Sequence, residues 1–590
     1  MSEATPESKS RPAPAWNLAA NPIFRRYCKS QLRPVSTGFW IVTVLIFVTF
    51  FFLLAYIGAG KQWDDPAIQA RAAIIPVIII QGILLMVFGN GATTLAYVRE
   101  AEEGIASYQR LTPMKPLAKV LGYLFGPPIR CYLLILLTLP FTIFGVVKGN
   151  IPLNDILQVA SIFFVSGILY HLIGLFAATV IKRRLLAGIV SMGIVFLITI
   201  IMPLIIAKSG YQFFTHFTIW PVLNQHKSEL IVESLLSQNP EFSEKDVKDA
   251  EWKDFRRRRG EWQFFQYQKH KILSETQGEI QFFQSKIPTF AFSFTVQCFL
   301  VFTFGVIIYR RWKSGTAHLL SKNFCLFVFG GILVLFLGTS LPLIESGQIF
   351  PSINTQFGRN YMASTATQAT VTEGMGLSAA CGFVTLLIAN MLIQTITPSR
   401  DGYIKGLRRA DKIGRRNPKV GSDEGTSLWH TIIIALLGAA AWYWFTNTLF
   451  ESSAYPEKSL PSHAFPIMAA VFLFAAICFS TTLQVFGKGV LWMSILFLWI
   501  VPLLASGICF ISEGIVAGIY LTSPSAFASF FNSLTYLLDG PDLENLKHIK
   551  NAFWIWIALH GFLTAILLAV SQSRQAQLRQ LVFNESKDND

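Results

Sequence analysis

Apolar blocks of about twenty residues recur along this chain, and they decide its class. Residues 38–59 run from Gly38 to Ala59 without one charged side chain. Such a block is the length of helix that crosses the hydrocarbon core of a bilayer. Twelve spans are expected, at 38–59, 73–97, 120–146, 157–181, 186–207, 288–309, 324–344, 376–396, 428–447, 464–487, 489–511 and 552–571. Charged residues make up only 14% of the 590, far too few for a soluble chain of this size. The Phe-rich and β-branched runs lack the period-two alternation of a membrane barrel. The expected fold class is all-α, a polytopic membrane protein with about 12 transmembrane helices. Gly126-Pro127-Pro128 interrupts the third block, so its crossing part is expected to begin near Pro127.

The net charge of +15 is a matter of topology, and no nucleic-acid partner is expected. Of the 49 Lys and Arg residues, 29 fall in the termini and in the loops on their side, while the short loops opposite hold seven. By the positive-inside rule both termini are expected in the cytoplasm. The long opposite segment 208–287 holds twelve Lys and Arg residues, but long segments translocate regardless of charge. The order of spans and loops repeats after the sixth span, which predicts two parallel six-helix repeats. The expected organisation is a cytoplasmic N-terminus with an interfacial helix (1–37), a first six-span unit (38–309), an extracytoplasmic insertion within it (208–287), a linker (310–323), a second unit (324–571) and a cytoplasmic tail (572–590).

In 17–35, Ile23, Phe24, Tyr27 and Leu32 lean to one side and Arg26, Lys29 and Arg33 to another, the pattern of a helix lying among lipid headgroups. The outer segment 225–287 is predicted to hold a helical hairpin carrying Phe255, Trp262, Phe264, Phe265 and Tyr267, with Arg256–Arg259 solvated, and offers a surface to an extracytoplasmic protein. Six of the seven cysteines lie within or at the end of spans and Cys28 in the basic N-terminus, without a CxxC pair, so neither disulfides nor a metal site is expected. No cleaved signal peptide is expected either.

A transporter needs an energy source. The chain has no G-x-x-x-x-G-K-[ST] phosphate loop. Every Asp and Glu falls in a loop or at a span end, so no intramembrane carboxylate offers a proton path. His171 and His560 are the clearest buried titratable groups and are read as packing residues, and Arg130 as a cation snorkelling at its span's end. No catalytic residue is expected. Energy must then arrive through a loop, and "YVREAEEGIASYQRLTPMKP" (97–116) is the notable one. Residues 99–110 are predicted to form one short helix that presents Glu102 and Glu103 to the cytosol, ended by Leu111-Thr112-Pro113.

The order "REAEEG…LTPMKP…VLGYLF" resembles the coupling loop of ABC-2 type transporter permeases. Asn21-Pro22-Ile23-Phe24-Arg25-Arg26 is similar to the start of their N-terminal elbow helix, and "YLTSPSAFASFFNS" (520–533) to their outer segment before the last span. The resemblance covers the first half by motif and the second by hydropathy. It implies a permease whose spans alternate access when separate ATPase subunits, which hold the ATP and Mg, close on each other; this chain itself would bind no cofactor. Arg99, Glu100, Glu102, Glu103, Gly104, Leu111, Thr112 and Pro113 would form the ATPase-docking loop, and Asn21, Pro22, Phe24, Arg25 and Arg26 the elbow helix. Ile105 and Ser107 depart from the family pattern. "ITPSRDGYIKGLRRADKIGRR" (396–416) keeps Thr-Pro without a Glu-rich helix before it. A second docking loop would use Thr397, Pro398, Arg400, Arg408 and Arg409.

The expected function is the membrane subunit of an ABC-type exporter in a bacterial cytoplasmic membrane, with ATPase subunits and lipids as partners. A pathway between the halves would draw on Asn90, Thr93, Asn390 and Gln394, although small and polar residues also serve helix packing alone. Two other readings stay open: an ATP-independent secondary carrier or lipid scramblase, and a scaffold that uses its outer hairpin.

Overall fold

The computed structural model describes residues 16–61, 66–181, 183–199, 201, 211–223, 225–226, 278–314, 317–345, 371–452, 459–511, 514–538 and 545–588. The chain is an all-α polytopic membrane protein. Among the described residues eleven helices are long and apolar enough to cross a membrane. The expected span 186–207 is described mainly through the helix Arg184–Phe196. The outer hairpin expected in 225–287 lies almost wholly outside the described residues. A two-stranded hairpin of Glu279–Phe282 and Ser285–Pro288 precedes the sixth expected span.

The chain divides into two compact units, the first made of Met1–Ile200, His216–Ile280 and Pro288–Thr316, the second of Ile201–Thr215, Gln281–Ile287 and Ala317–Asp590. The first unit opens with α1 (Pro22–Gln31), started by Asn21, whose side chain accepts from the Ile23 and Phe24 amides, and by Pro22 in the first turn. α2 (Pro34–Gly60) follows after the proline break. It leaves Phe39, Ile46, Phe47, Phe50 and Leu54 exposed, a face that acyl chains rather than water would solvate.

α3 (Pro66–Glu102) is one long helix with a π-turn at Ile83–Phe88. A π-turn shifts the hydrogen-bond ladder and leaves a carbonyl without its usual partner. Leu85 O is met there by His171 Nε2 at 2.9 Å, while His171 Nδ1 lies 3.1 Å from the Tyr132 hydroxyl. The expected packing role of His171 is thus a polar one, closing a gap in a helix ladder. α4 (Ile105–Leu111) and α5 (Pro116–Phe125) are short. The break at Gly126-Pro127-Pro128 separates α5 from α6 (Ile129–Lys148). α7 (Leu153–Val180), α8 (Arg184–Phe196) and α9 (Thr289–Lys313) complete the unit. α7 runs through its core, and Ser166 donates to Gln297 of α9 at 2.8 Å.

The second unit holds α10 (Lys322–Glu345), α11 (Val371–Ile396), α12 (Arg400–Asp411), α13 (Leu428–Glu451), α14 (Ala464–Phe486), α15 (Lys488–Cys509), α16 (Ile515–Thr522), α17 (Ala526–Leu538) and α18 (Leu546–Asp588). Its core centres on Trp442, which donates to Ser378 O at 2.8 Å and packs on Phe472 and Phe530. In both units the second long helix packs on the third and fourth, and the fourth on the last. The tail from 572 continues α18 as helix. It contains four Gln and neither Gly nor Pro, and Leu578 and Val582 pack on Tyr403 and Leu407 of α12.

Candidate functional site

The candidate site begins on one stripe of α3. Asn90, Thr93, Tyr97 and Glu100 follow at the three- and four-residue spacing of a helix face, and all four are buried. Glu100 is 6% exposed. A buried carboxylate is tolerated only with donors on its oxygens. Oε1 accepts from Arg26 and Tyr27 of α1. Oε2 accepts from Gln109 Nε2 of α4 at 3.0 Å and from the Tyr123 hydroxyl of α5. The Tyr123 oxygen also lies 2.7 Å from Gln109 Oε1. Burial and the neighbouring carboxylate hold the Tyr27 phenol above its ordinary pKa, so it stays a donor across the physiological pH range. Tyr27, Tyr97 and Tyr123 close over the network, and Trp312 of α9 stacks on Tyr123 with ring centroids 5.3 Å apart. One carboxylate therefore joins three helices to α3, and an aromatic roof adds a fourth.

The second feature is a hinge. Residues 99–110, expected as one helix, are two. α3 ends at Glu102, and Gly104 takes φ +75°, the left-handed region that favours glycine. This is the helix-ending geometry in which the amide after the last turn bonds back, here Gly104 N to Ala101 O at 3.3 Å. α4 then starts afresh, with the Ser107 and Tyr108 amides on Gly104 O. It ends at Leu111, where Thr112 Oγ1 donates to Gln109 O at 2.6 Å ahead of Pro113. The buried Lys119 donates to the same carbonyl at 2.5 Å, a cation placed where a helix C-terminus favours one.

The elbow residues hold α1 onto α5 and α6. Asn21 Nδ2 donates to Ala118 O at 2.6 Å. At the other end Arg130 donates to Gln31 O at 2.9 and 2.6 Å; this replaces the expected snorkelling role with a cap on α1. A Cβ on Gly122 would lie 2.9 Å from Ile23 Cβ, so glycine sets how closely the two helices approach. Phe24 is half-buried, Pro22 and Arg25 are exposed, and Arg25 donates to Ala19 O.

Glu102 and Glu103 are exposed, and each is held in an ion pair. Arg184, at the start of α8, reaches Glu102 at 2.6 Å, and Arg99 reaches Glu103 at 3.0 Å. Two large side chains of α4 stand uncovered: Tyr108 is 70% and Leu111 83% exposed. Leu111 was among the expected docking residues; Tyr108 was not, although its three-residue spacing from Leu111 and Ile105 carried that signal.

In the second loop the helix follows Thr-Pro rather than preceding it. Thr397 and Pro398 are buried, and Thr397 Oγ1 donates to Ile393 O at 2.8 Å. Ser399 caps α12 by accepting from Gly402 N at 3.2 Å. Tyr403, Leu407 and Ala410 form its buried stripe, while Arg400, Arg408 and Arg409 are exposed. Arg409 pairs with Glu424 at 2.5 Å. The residues that sequence reasoning missed here are Lys322 and its ring of acceptors. Its ammonium is fully buried and donates to the carbonyls of Val420, Gly425 and Thr426 at 2.8, 2.7 and 2.9 Å.

Of the expected pathway residues, Asn90, Thr93 and Asn390 are buried within their own units and Gln394 is half-buried. Thr93 donates to Gly89 O at 2.9 Å. The amide nitrogens of Asn90 and Asn390 have no hydrogen-bond partner among the described residues. None of the seven cysteines forms a disulfide, and among the described residues no group of His, Cys, Asp and Glu could hold a metal ion. No protein-family model matches the chain, and no match was found among the curated proteins or the solved structures.

Proposed function

We propose that this chain is the membrane subunit of an ABC-type exporter, two six-span units in one polypeptide, in a bacterial cytoplasmic membrane. Separate ATPase subunits, carrying ATP and Mg, would dock on the loop 98–119. The observation that carries the reading is the build of that loop. α4 is a short helix behind a glycine hinge, with two apolar side chains uncovered, and its Gln109 shares the Glu100 carboxylate with α1 and α5. A body that grips Tyr108 and Leu111 and shifts α4 must also displace or drag α1, α3 and α5, because a buried carboxylate cannot lose its donors without a large penalty. Helix motion at the loop thereby becomes motion of spans.

The unpartnered amides of Asn90 and Asn390, each in the second long helix of its unit, are the groups we assign to the pathway. Unpaired buried amides in a span call for a polar partner.

The test is co-purification of the full chain with nucleotide-hydrolysing activity from its native membrane. The wild type should carry vanadate-sensitive ATP hydrolysis. Tyr108→Asp with Leu111→Asp should reduce it by about tenfold or more, the loss expected for a central apolar anchor, while the eluted chain keeps its elution profile. Wild-type material that never carries such activity would end the proposal.

A further inference from the structure

A cavity of about 420 Å³ opens in the second unit, where α13 begins, α14 ends and α18 leaves its apolar stretch. Its wall carries Ser480, Gln484, Ser571 and Gln575 and one cation, Arg579, and none of its lining residues is acidic. Some of these groups are already engaged. Gln575 donates to Ser571 Oγ at 3.2 Å, and Thr431 to Ser480 Oγ at 3.3 Å. Others are not. Arg579 makes no hydrogen bond or ion pair among the described residues, and because its Nε is shut off from solvent, its terminal Nη groups are the ones that can face the cavity. The Ser571 hydroxyl proton and the Gln484 amide likewise make no hydrogen bond among the described residues, so the free groups facing the cavity are donors around a single positive charge.

A concave site of this size, rich in unused donors and with one guanidinium, fits a small anion with several acceptor oxygens. Phosphate is the match: guanidinium N–H groups pair with its oxygens in a planar fork, and hydroxyl and amide donors take the rest. The surroundings point to where the phosphate comes from. Leu428 and Leu568 line the cavity's apolar side. Leu568 belongs to the apolar stretch of α18, which is long and apolar enough to lie among acyl chains. We propose that this cavity binds a phosphate group through Arg579, Gln484 and Ser571, supplied by an anionic glycerophospholipid at the membrane boundary. This site does not rest on the exporter reading.

The test uses the full chain in nonionic detergent, titrated with fluorescent phosphatidylglycerol. Arg579→Gln should weaken binding by about tenfold or more, the worth of a charge-assisted contact. Lys488→Gln, which removes an exposed cation at the same end of α14 but outside the cavity, should leave affinity unchanged. Should Arg579→Gln fail to fold, Gln484→Glu places a repelling charge on the opposite wall and should lose binding likewise. Inorganic phosphate then separates the sources. Displacement of the lipid at millimolar phosphate means that the anion alone suffices, and no displacement means that the lipid is required. Absence of any saturable binding, or an equal loss in Lys488→Gln, would overturn the proposal, the latter by reducing the effect to diffuse attraction.

Discussion

The loops 98–119 and 397–427 solve one problem with opposite charges. In the first, a buried anion, Glu100, is satisfied by four side-chain donors from α1, α4 and α5. In the second, a buried cation, Lys322, is satisfied by three main-chain carbonyls that lie within seven residues of one another. Side-chain donors come from wherever the fold brings them, so the carboxylate ties separate helices into one body. Carbonyls of neighbouring residues belong to one stretch of chain, so the ammonium only shapes that stretch and pins it to the start of α10. The first loop is built to transmit displacement and the second to hold a shape. α12 is correspondingly fastened to α18 by an apolar stripe of Tyr403 and Leu407 against Leu578 and Val582, a contact that needs no polar relay.

Removing each central charge should break this comparison in a different place. Glu100→Ala is expected to have the largest effect, about 4 kcal/mol of stability, because it strips a buried charge network of its only anion. Thermal unfolding in detergent reads the loss. Hydrogen exchange reads its reach: the amides of 21–31 and 105–125 should exchange faster together, while 397–427 stays as in the wild type. Unchanged exchange in α1 would mean that the carboxylate does not join the helices.

Lys322→Met should have a smaller effect, about 2 kcal/mol, since it leaves three carbonyls without donors and the loop that carries them is partly open to water. Faster exchange should stay within 417–427. Spread into α12 and α18 would show that the ammonium, and not the apolar stripe, fastens α12.

These differences explain what the sequence could and could not disclose. Spans were legible because twenty apolar residues have few other uses, and the break before Ile129 because two consecutive prolines cannot continue a helix. The end of α4 at Thr112-Pro113 was legible for the same reason. The hinge at Gly104 was not, since a lone glycine inside a helix costs only about 1 kcal/mol and is compatible with either outcome. Three glutamates in five residues look alike in sequence. Only their phase separates them, for Glu100 extends the stripe of Asn90, Thr93 and Tyr97 whereas Glu102 and Glu103 do not. The role of Lys322 left no trace, because its partners are backbone atoms that every residue possesses.

The smallest expected effect on stability separates the two faces of the first loop. The acidic pair Glu102 and Glu103 is 37% and 42% exposed at its side chains, and exposed ion pairs contribute less than about 1 kcal/mol. Glu102→Lys with Glu103→Lys should therefore lower the unfolding temperature only slightly, and the difference should shrink as salt screens the repulsion from Arg99 and Arg184. Its effect on docking is the sharper reading. If a partner grips the apolar pair, co-purifying ATP hydrolysis should fall far less in this variant than in Tyr108→Asp with Leu111→Asp. A partner that needs the carboxylates must first pull them from Arg184 and Arg99, and the charge reversal would then abolish the activity at every salt concentration. That outcome would move the grip from the tip of α4 to the end of α3, on the near side of the Gly104 hinge. The lever arm would be lost, and displacement would enter α3 directly, with Glu100 reduced from a relay to a brace.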